Sequence, residues 1–63
     1  KLIIRKSIFA SQQINKGDIF SKENLAIKRP GNGIEPKHWN NILDKRSTRS
    51  IQKDELITWN DIS

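Results

Sequence analysis

The stretch INKGDIFSKENL, residues 14–25, occurs twice in this chain in altered form. The second copy is IQKDELITWNDI, residues 51–62, and the two align without gaps at an offset of 37 residues. Each copy contains an apolar anchor, a polar turn, an apolar pair, a Ser or Thr and a closing apolar residue. Because internal repeats fold as repeated structural units, we predict two interlocked β-halves related by a pseudo-twofold axis.

Positions that match between the copies are expected to have matching roles. Gly17 supplies a turn residue that can adopt positive φ, and Asp54 takes that place in the second copy at some conformational cost. The hydroxyls of Ser21 and Thr58 are good N-caps for a single helical turn, and Trp59 is expected to cover the core. The apolar anchors are predicted to form that core: Ile14, Ile19, Leu25, Ile51, Leu56 and Ile62.

The rest of the chain fits around these copies. Residues 7–11, 25–29 and 45–51 have the length and composition of strands. Residues 36–43, PKHWNNIL, are predicted to be helical, with proline at the first helical position and an apolar stripe that includes Trp39. His38 lies one step off that stripe and is expected to be solvated. The predicted fold is mainly β with short helical turns.

Size and composition limit the possible functions. A chain of 63 residues is one domain near the lower limit for folding without disulfides or metals. There is no cysteine, which suits a reducing cytosol, so we expect a cytoplasmic protein. A single histidine cannot by itself form a metal site or a catalytic triad, and we expect neither a transmembrane nor a signal segment. It is expected to be part of a longer protein and to have no catalysis of its own.

The charge balance leaves a binding function open. Twelve Lys and Arg against seven Asp and Glu give a net charge of +5, which can attract nucleic acid or other anions. Only KRSTR, residues 45–49, is locally dense in cations, and no aromatic residue is interleaved with it. A basic nucleic-acid or anion-binding module is therefore an alternative, and its affinity would fall steeply with salt.

The segment KRPGNGI, residues 28–34, is a stiff start followed by a sharp turn. Pro30 fixes its own φ and disfavours the helical region for Arg29. Gly31 and Gly33 permit positive φ, and Asn32 tolerates it better than most residues. The local pattern is typical of a plain connector with solvated cations, and it also holds one arginine at the lip of a braced turn.

The whole pattern resembles a known family across nearly the full chain. The matching pieces are RKSIFASQQINKGDIFSKENLAIKRPGNGI, residues 5–34, and PKHWNNILDKRSTRSIQKDELITWNDI, residues 36–62. They resemble the C-terminal antifreeze-like (SAF, β-clip) domain of bacterial sialic acid synthases and of the related legionaminic and pseudaminic acid synthases. The KRPGNGI form is closer to the sialic and legionaminic acid enzymes. Asp44 and Asp54 depart from the family pattern, which usually has glycine at these places.

The resemblance implies a small SAF/β-clip fold, shared with type III antifreeze proteins, and a role beside a catalytic domain. In the family, an N-terminal (β/α)8 barrel, absent from these 63 residues, condenses phosphoenolpyruvate with an N-acetylated hexosamine. A divalent metal, Mn²⁺ or Mg²⁺, is expected in that barrel and none in this domain. The small domain covers the barrel mouth of the partner subunit in a swapped homodimer.

The resemblance also assigns roles within KRPGNGI. Arg29 is expected to contact the sugar substrate, and Asn32 is a candidate second contact. Pro30, Gly31 and Gly33 are expected to shape the loop. The preceding residue, Lys28, is expected to be solvated or to face the acidic rim of the barrel. Neither catalytic residues nor nucleic-acid or membrane partners are implied, and the acceptor sugar is left undetermined.

Two further alternatives follow from the same fold. Type III antifreeze proteins bind ice through a flat, weakly charged face, but this chain is 30% charged and its candidate surface strand, QQINK at 12–16, ends in lysine. The other alternative is an independent SAF module in a dehydratase-type carbohydrate enzyme or a pilus-assembly protein. The KRPGNGI loop argues against that alternative by resemblance.

Overall fold

The computed structural model describes residues 5–63. Strand β1 spans Ser7–Ala10 and strand β2 spans Leu25–Lys28. A 3₁₀ helix at Pro36–His38 runs directly into a short α-helix, α1, at Trp39–Ile42, and a second 3₁₀ helix spans Trp59–Asp61. Within this part of the chain the two strands form one antiparallel ladder, and further pairing consists of isolated bridges. The mainly β prediction is confirmed.

The two copies of the repeat meet at their first residues. Ile14 and Ile51, which occupy the same place in the alignment, are antiparallel bridge partners. The N–H of Ile14 donates to the carbonyl of Ile51 at 2.8 Å, and the reverse bond is 2.7 Å. Both side chains are fully buried. A residue that pairs with its own counterpart lies on the symmetry axis, so the predicted pseudo-twofold passes between these two isoleucines.

The symmetry extends beyond the part that is visible in the sequence. Hydrogen bonds of one half recur in the other over residues 8–25 and 45–62, some within a half and others between the halves. Matched backbone bonds between the halves, N–H donor first, are Gly17 to Ser47 (2.8 Å) with Asp54 to Ala10 (2.8 Å), and Phe20 to Lys45 (2.8 Å) with Ile57 to Ile8 (3.1 Å). The halves are therefore interlocked, because each supplies the pairing partners of the other.

The predicted strand over residues 45–51 is wrong as a continuous element. In this segment only Arg46, Ser47 and Ile51 form bridges, and each bridge has a different partner. The chain bends at Thr48 and Arg49, which separates the bridges. The predicted strands 7–11 and 25–29 are each one residue shorter in the structure.

The turns of the two copies have the predicted backbone. Gly17 has φ 90° and Asp54, its counterpart, has φ 68°. Asp44 also has positive φ, 72°, just after α1. Non-glycine residues rarely adopt this region because the Cβ crowds the backbone, so both aspartates stand where glycine would be less strained.

The helical turn predicted for both copies forms in one of them. Thr58 and Asp61 form a capping box at the last 3₁₀ helix, and the Thr58 N–H donates to Asp61 Oδ2 at 2.9 Å. In the first copy the N–H of Ser21 donates to Asn24 Oδ1 at 2.9 Å in the same way. Residues 22–24 there form a turn rather than a helix.

Three residues that were predicted to form or cover the core are less buried than expected. Ile19 is 45% exposed, whereas the next residue, Phe20, is fully buried. In the second copy Leu56 is half-buried and Ile57 fully buried. Successive side chains of an extended chain point to opposite sides, so only the second member of each apolar pair faces inward. Trp59, predicted to cover the core, is 52% exposed.

The remaining anchors behave as predicted, with one difference of degree. Ile62 is half-buried and packs against the core rather than within it. The buried apolar cluster consists of Ile8, Ala10, Ile14, Phe20, Leu25, Ile34, Ile42, Ile51 and Ile57.

The predicted helical segment covers the core from one side. Pro36 lies in the first turn, as expected, and Ile42 is buried while Trp39 packs against the cluster. His38 is half-buried rather than solvated, and its ring meets the edge of Trp59 with centroids 5.2 Å apart. Within residues 5–63 no helix has the length and apolar character needed to cross a membrane.

Candidate functional site: the loop at residues 29–33

The candidate site is the loop at residues 29–33, which joins β2 to the helical segment. Strand β1 holds both of its ends. Lys28, just before the loop, pairs with Ser7 in the ladder. The Gly33 N–H donates to Ser7 Oγ at 2.9 Å, and the Ile8 N–H donates to the Ile34 carbonyl at 3.1 Å. The loop is therefore a braced excursion from the sheet rather than a free connector.

Ser7 is a residue of the site that the sequence reasoning missed. Its side chain is fully buried, and its hydroxyl accepts the hydrogen bond that ends the loop. A buried hydroxyl needs a partner because desolvation without one is costly. The available signal was a serine at the start of the otherwise apolar run SIFA.

The two glycines of the loop are required by close contact and not by positive φ. A Cβ on Gly31 would lie 2.1 Å from Arg5 Cβ and 2.5 Å from its carbonyl carbon. A Cβ on Gly33 would lie 2.7 Å from Leu56 Cδ1. Among residues 5–63, positive φ occurs at Gly17 and two aspartates. Neither loop glycine therefore uses the positive φ that glycine permits, and the Arg29–Pro30 peptide bond is cis.

The predicted contact residues lie together on the exposed side of the loop. Arg29, Pro30 and Asn32 are exposed, whereas Gly31 and Gly33 are half-buried against neighbouring chain. A guanidinium offers five N–H donors in a planar fork. Anchored glycines below and an exposed arginine above make a surface that can donate hydrogen bonds without first ordering its backbone.

Lys28 is engaged within the fold, although 39% of its side chain remains exposed. Its Nζ lies 2.8 Å from Asp54 Oδ1, and it also lies 5.0 Å from the centroid of the Phe9 ring. The hydrogen bond from Lys28 lowers the pKa of the Asp54 carboxyl, and the positive charge of Lys28 adds to that effect. This ion pair joins the second half of the repeat to the start of the candidate loop.

The dense cationic stretch KRSTR is largely engaged in the fold. Arg49 Nε donates to Asp61 Oδ1 at 2.7 Å, and Arg49 Nη2 donates to Glu55 Oε2 at 2.8 Å. Arg46 Nη1 donates to the carbonyl of Gly17 at 2.9 Å. Two of the three cations thus have partners within the domain, which weakens the case for an anion-binding strip.

The Arg49 network shifts the pKa values of its members in the stabilising direction. The hydrogen bonds that Arg49 donates to Asp61 and to Glu55, in that order of effect, raise the pKa of Arg49. Burial raises the pKa of Asp61, but hydrogen bonds from Arg49 and from Thr58 more than offset it, so the pKa falls below its usual range. The pKa of Glu55 is lowered by Arg49 and by the N–H of Gln52.

We expect the domain to lose stability in acid because of this network. A carboxyl with a lowered folded-state pKa stabilises above its unfolded value, about 4, and that stability is lost as pH falls through the folded value. The melting temperature should therefore be nearly independent of pH above about pH 5, and it should fall as the pH is lowered below about 4. In Asp61→Asn the midpoint at neutral pH should be lower and the acid drop smaller. An unchanged acid drop in that variant would show that Asp61 is not its source.

The surface proposed for ice binding is not a strand. Residues 11 and 12 form a bend, Ile14 points into the core, and residues 16 and 17 form a turn. The segment 12–16 is therefore not the surface strand that this alternative assumed. Within the described part of the chain, no group of three or more His, Cys, Asp or Glu residues could hold a metal ion.

Sequence comparison identifies the fold family. A protein-family model described as the SAF domain matches residues 5–63. The chain belongs to the SAF domain family. A similar solved structure is the solution structure of an antifreeze protein like domain in human N-acetylneuraminic acid phosphate synthase gene. The two structures superimpose with a TM-score of 0.86 and 22% sequence identity, and the match covers 90% of this chain and 73% of that one. At that identity the likeness shows the fold alone, and it confirms the antifreeze-like SAF fold.

Two relatives share more of the sequence. N,N'-diacetyllegionaminic acid synthase of Campylobacter jejuni is 47% identical over 55 residues, which cover 87% of this chain and 16% of that protein. Pseudaminic acid synthase of Campylobacter jejuni is 34% identical over 59 residues, covering 94% of this chain and 17% of that protein. The resemblance to the antifreeze-like domain of these synthases is confirmed, and the SAF domain spans about a sixth of the length of either relative.

Proposed function

We propose that this SAF domain closes the sugar site of a sialic-acid-type synthase, with Arg29 as the contact to the substrate. The observation that carries the proposal is the loop at 29–33, which is fixed to β1 at both ends and leaves the Arg29 side chain exposed. Such a loop presents a cation without a cost for ordering its backbone at binding. The identity to the legionaminic acid synthase favours an N-acetylated hexosamine as the partner of this loop.

The chemistry of Arg29 suits an oxygen-rich neutral sugar. The five donors of a guanidinium can bind hydroxyl and amide oxygens in fixed directions. Asn32, exposed on the same loop, adds an amide that can donate and accept. We further propose that the loop enters the (β/α)8 barrel of the partner subunit in a swapped homodimer. The barrel would supply the divalent metal and the condensation with phosphoenolpyruvate, and the SAF domain supplies binding and exclusion of water.

Arg29→Ala in the full-length protein should impair sugar use and spare folding. A hydrogen bond to a charged donor is worth roughly 1.5–3 kcal/mol, so kcat/KM for the sugar should fall about tenfold or more. Arg29→Lys should recover part of the loss, because an ammonium lacks the planar fork. The loss for phosphoenolpyruvate should be smaller. Lys22→Ala, at an exposed cation in the turn at 22–24, is the matched control and should behave as wild type.

Mixed dimers test whether the domain serves the partner's barrel. One chain is wild type and the other carries both Arg29→Ala and an inactivated barrel. If the domain is swapped, the good barrel meets the defective loop, and the purified heterodimer should be nearly inactive towards the sugar. If each domain covers its own barrel, one site is intact and half of the activity remains. Half-normal activity would contradict the cross-subunit proposal, and wild-type kinetics of Arg29→Ala would contradict the role of Arg29 itself.

A further inference from the structure

Asp54 occupies a place where its backbone favours glycine. Its φ is 68°, and the equivalent turn residue of the first half is Gly17, with φ 90°. A side chain at the Gly17 position would meet nothing within 4 Å, so the cost of a residue other than glycine in this turn is conformational and not steric. Aspartate tolerates this region better than most residues, and at Asp54 the side chain also makes an ion pair.

That interaction lies outside the repeat. The Asp54 carboxylate is 2.8 Å from Lys28 Nζ, and Lys28 is the last residue of β2, directly before Arg29. The same ammonium lies 5.0 Å from the centroid of the Phe9 ring. Phe9 is in turn the bridge partner of Leu56, two residues beyond Asp54. Lys28 is therefore held between an aromatic face and a carboxylate.

The second-half turn touches the loop at both of its ends. Asp54 binds the residue before the loop, and Leu56 fills the space beside Gly33 at its end, where a Cβ would come within 2.7 Å. Arg29 follows Lys28 directly and lies in a bend just beyond the strand. Holding Lys28 against Asp54 therefore limits movement of the strand end from which the loop starts.

We propose that Asp54, acting through Lys28, is a positioning residue for Arg29. It holds the start of the loop so that the guanidinium meets the substrate in one orientation. This inference rests on the proposed function, because it assigns a second residue to the same site.

Asp54→Gly in the full-length protein separates positioning from stability, because the two effects have opposite signs. Glycine relieves the positive φ, so the thermal midpoint should stay level or rise. Losing the ion pair should lower kcat/KM for the sugar about threefold to tenfold, mainly through KM, since small errors in the placement of an oriented group are costly. Asp54→Asn, which tolerates positive φ without the charge, should show the same kinetic loss. Lys53→Ala removes a charge from the same turn and is the matched control.

The effect must also pass through Lys28 and Arg29. Lys28→Met keeps the aliphatic stem over Phe9 and should reproduce the loss of Asp54→Asn, and the double variant should be no worse than either single one. In an Arg29→Ala background, adding Asp54→Gly should change kcat/KM for the sugar by less than about twofold, because the group to be positioned is gone.

The outcomes separate this inference from the proposed function. If Arg29→Ala lowers sugar use and Asp54→Gly leaves it unchanged, the positioning role is wrong and the role of Arg29 stands. The same holds if Asp54→Gly is equally harmful with and without Arg29. If Arg29→Ala itself has no effect, the proposed function fails and the inference fails with it. If Asp54→Gly raises the thermal midpoint and lowers kcat/KM for the sugar only when Arg29 is present, both the proposed function and the positioning role are supported.

Discussion

Phe20→Ala should lower the free energy of unfolding by about 3–5 kcal/mol, whereas Ile19→Ala should change it by less than about 0.5 kcal/mol. Phe20 is fully buried at the centre of the apolar cluster, and truncation leaves a cavity that rigid neighbours cannot close. Ile19 is 45% exposed beside it. Urea denaturation of the 63-residue chain measures both changes, with unchanged m values required for the comparison.

The adjacent pair is a sharp test because both residues are apolar and share one backbone segment. Differences in strand propensity or in the unfolded state affect both variants similarly. Equal costs would show that the chain presents both side chains to the core, contrary to the structure. A greater cost for Ile19→Ala would reverse the assignment of the inward face.

The sequence alone could not decide which member of the pair faces inward. The positions 19–20 and 56–57 are Ile-Phe and Leu-Ile, so both members are apolar and the alternation that marks a half-buried strand is missing. A shift of one residue exchanges the two faces of a strand. The repeat located the pair correctly, but only the bridges of Ile19 to Arg46 and of Phe9 to Leu56 fix its orientation.

The interlocking of the halves was predictable in part. The alignment of residues 14–25 with 51–62 predicted the pseudo-twofold and the matching turns at Gly17 and Asp54. It did not reveal that the symmetry continues through 8–11 and 45–48, which read IFAS and KRST. Symmetric backbone hydrogen bonds join these segments to their partners, and such bonds do not require similar side chains.

The residues of the candidate site could be predicted from the sequence, but the contacts that hold the loop in place could not. The resemblance identified Arg29 and the turn residues, and the Pro and Gly pattern indicated a braced loop. The contacts that brace it come from Ser7, Asp54 and Leu56, which lie more than 20 residues away in the chain. Local patterns carry no information on such distant partners, so the glycines were attributed to backbone freedom when close contact requires them.

Ile14→Ala and Ile51→Ala should each lower the free energy of unfolding by about 2–5 kcal/mol, and by similar amounts. Both side chains are fully buried, and the two residues are partners across the symmetry axis. Alanine keeps the reciprocal backbone bonds of 2.8 and 2.7 Å, so the loss reports side-chain packing alone. Gln12→Ala, at an exposed position nearby, is the matched control in denaturation of the 63-residue chain. Unchanged midpoints in the two isoleucine variants would contradict an axis at this pair.

The double variant should be unfolded at 25 °C, because its two losses together match the roughly 5 kcal/mol at the low end of domain stability. Opposed side chains of an antiparallel pair contact each other, so the two single costs need not add. The candidate loop depends on the same axis. Ser7, just before the first half, and Leu56 of the second half both contact it at Gly33, so loosening the junction of the halves disturbs both supports. In the full-length protein, either single variant should therefore raise KM for the sugar before it unfolds the domain. Control variants that lose the same stability through residues away from the axis should leave KM for the sugar unchanged.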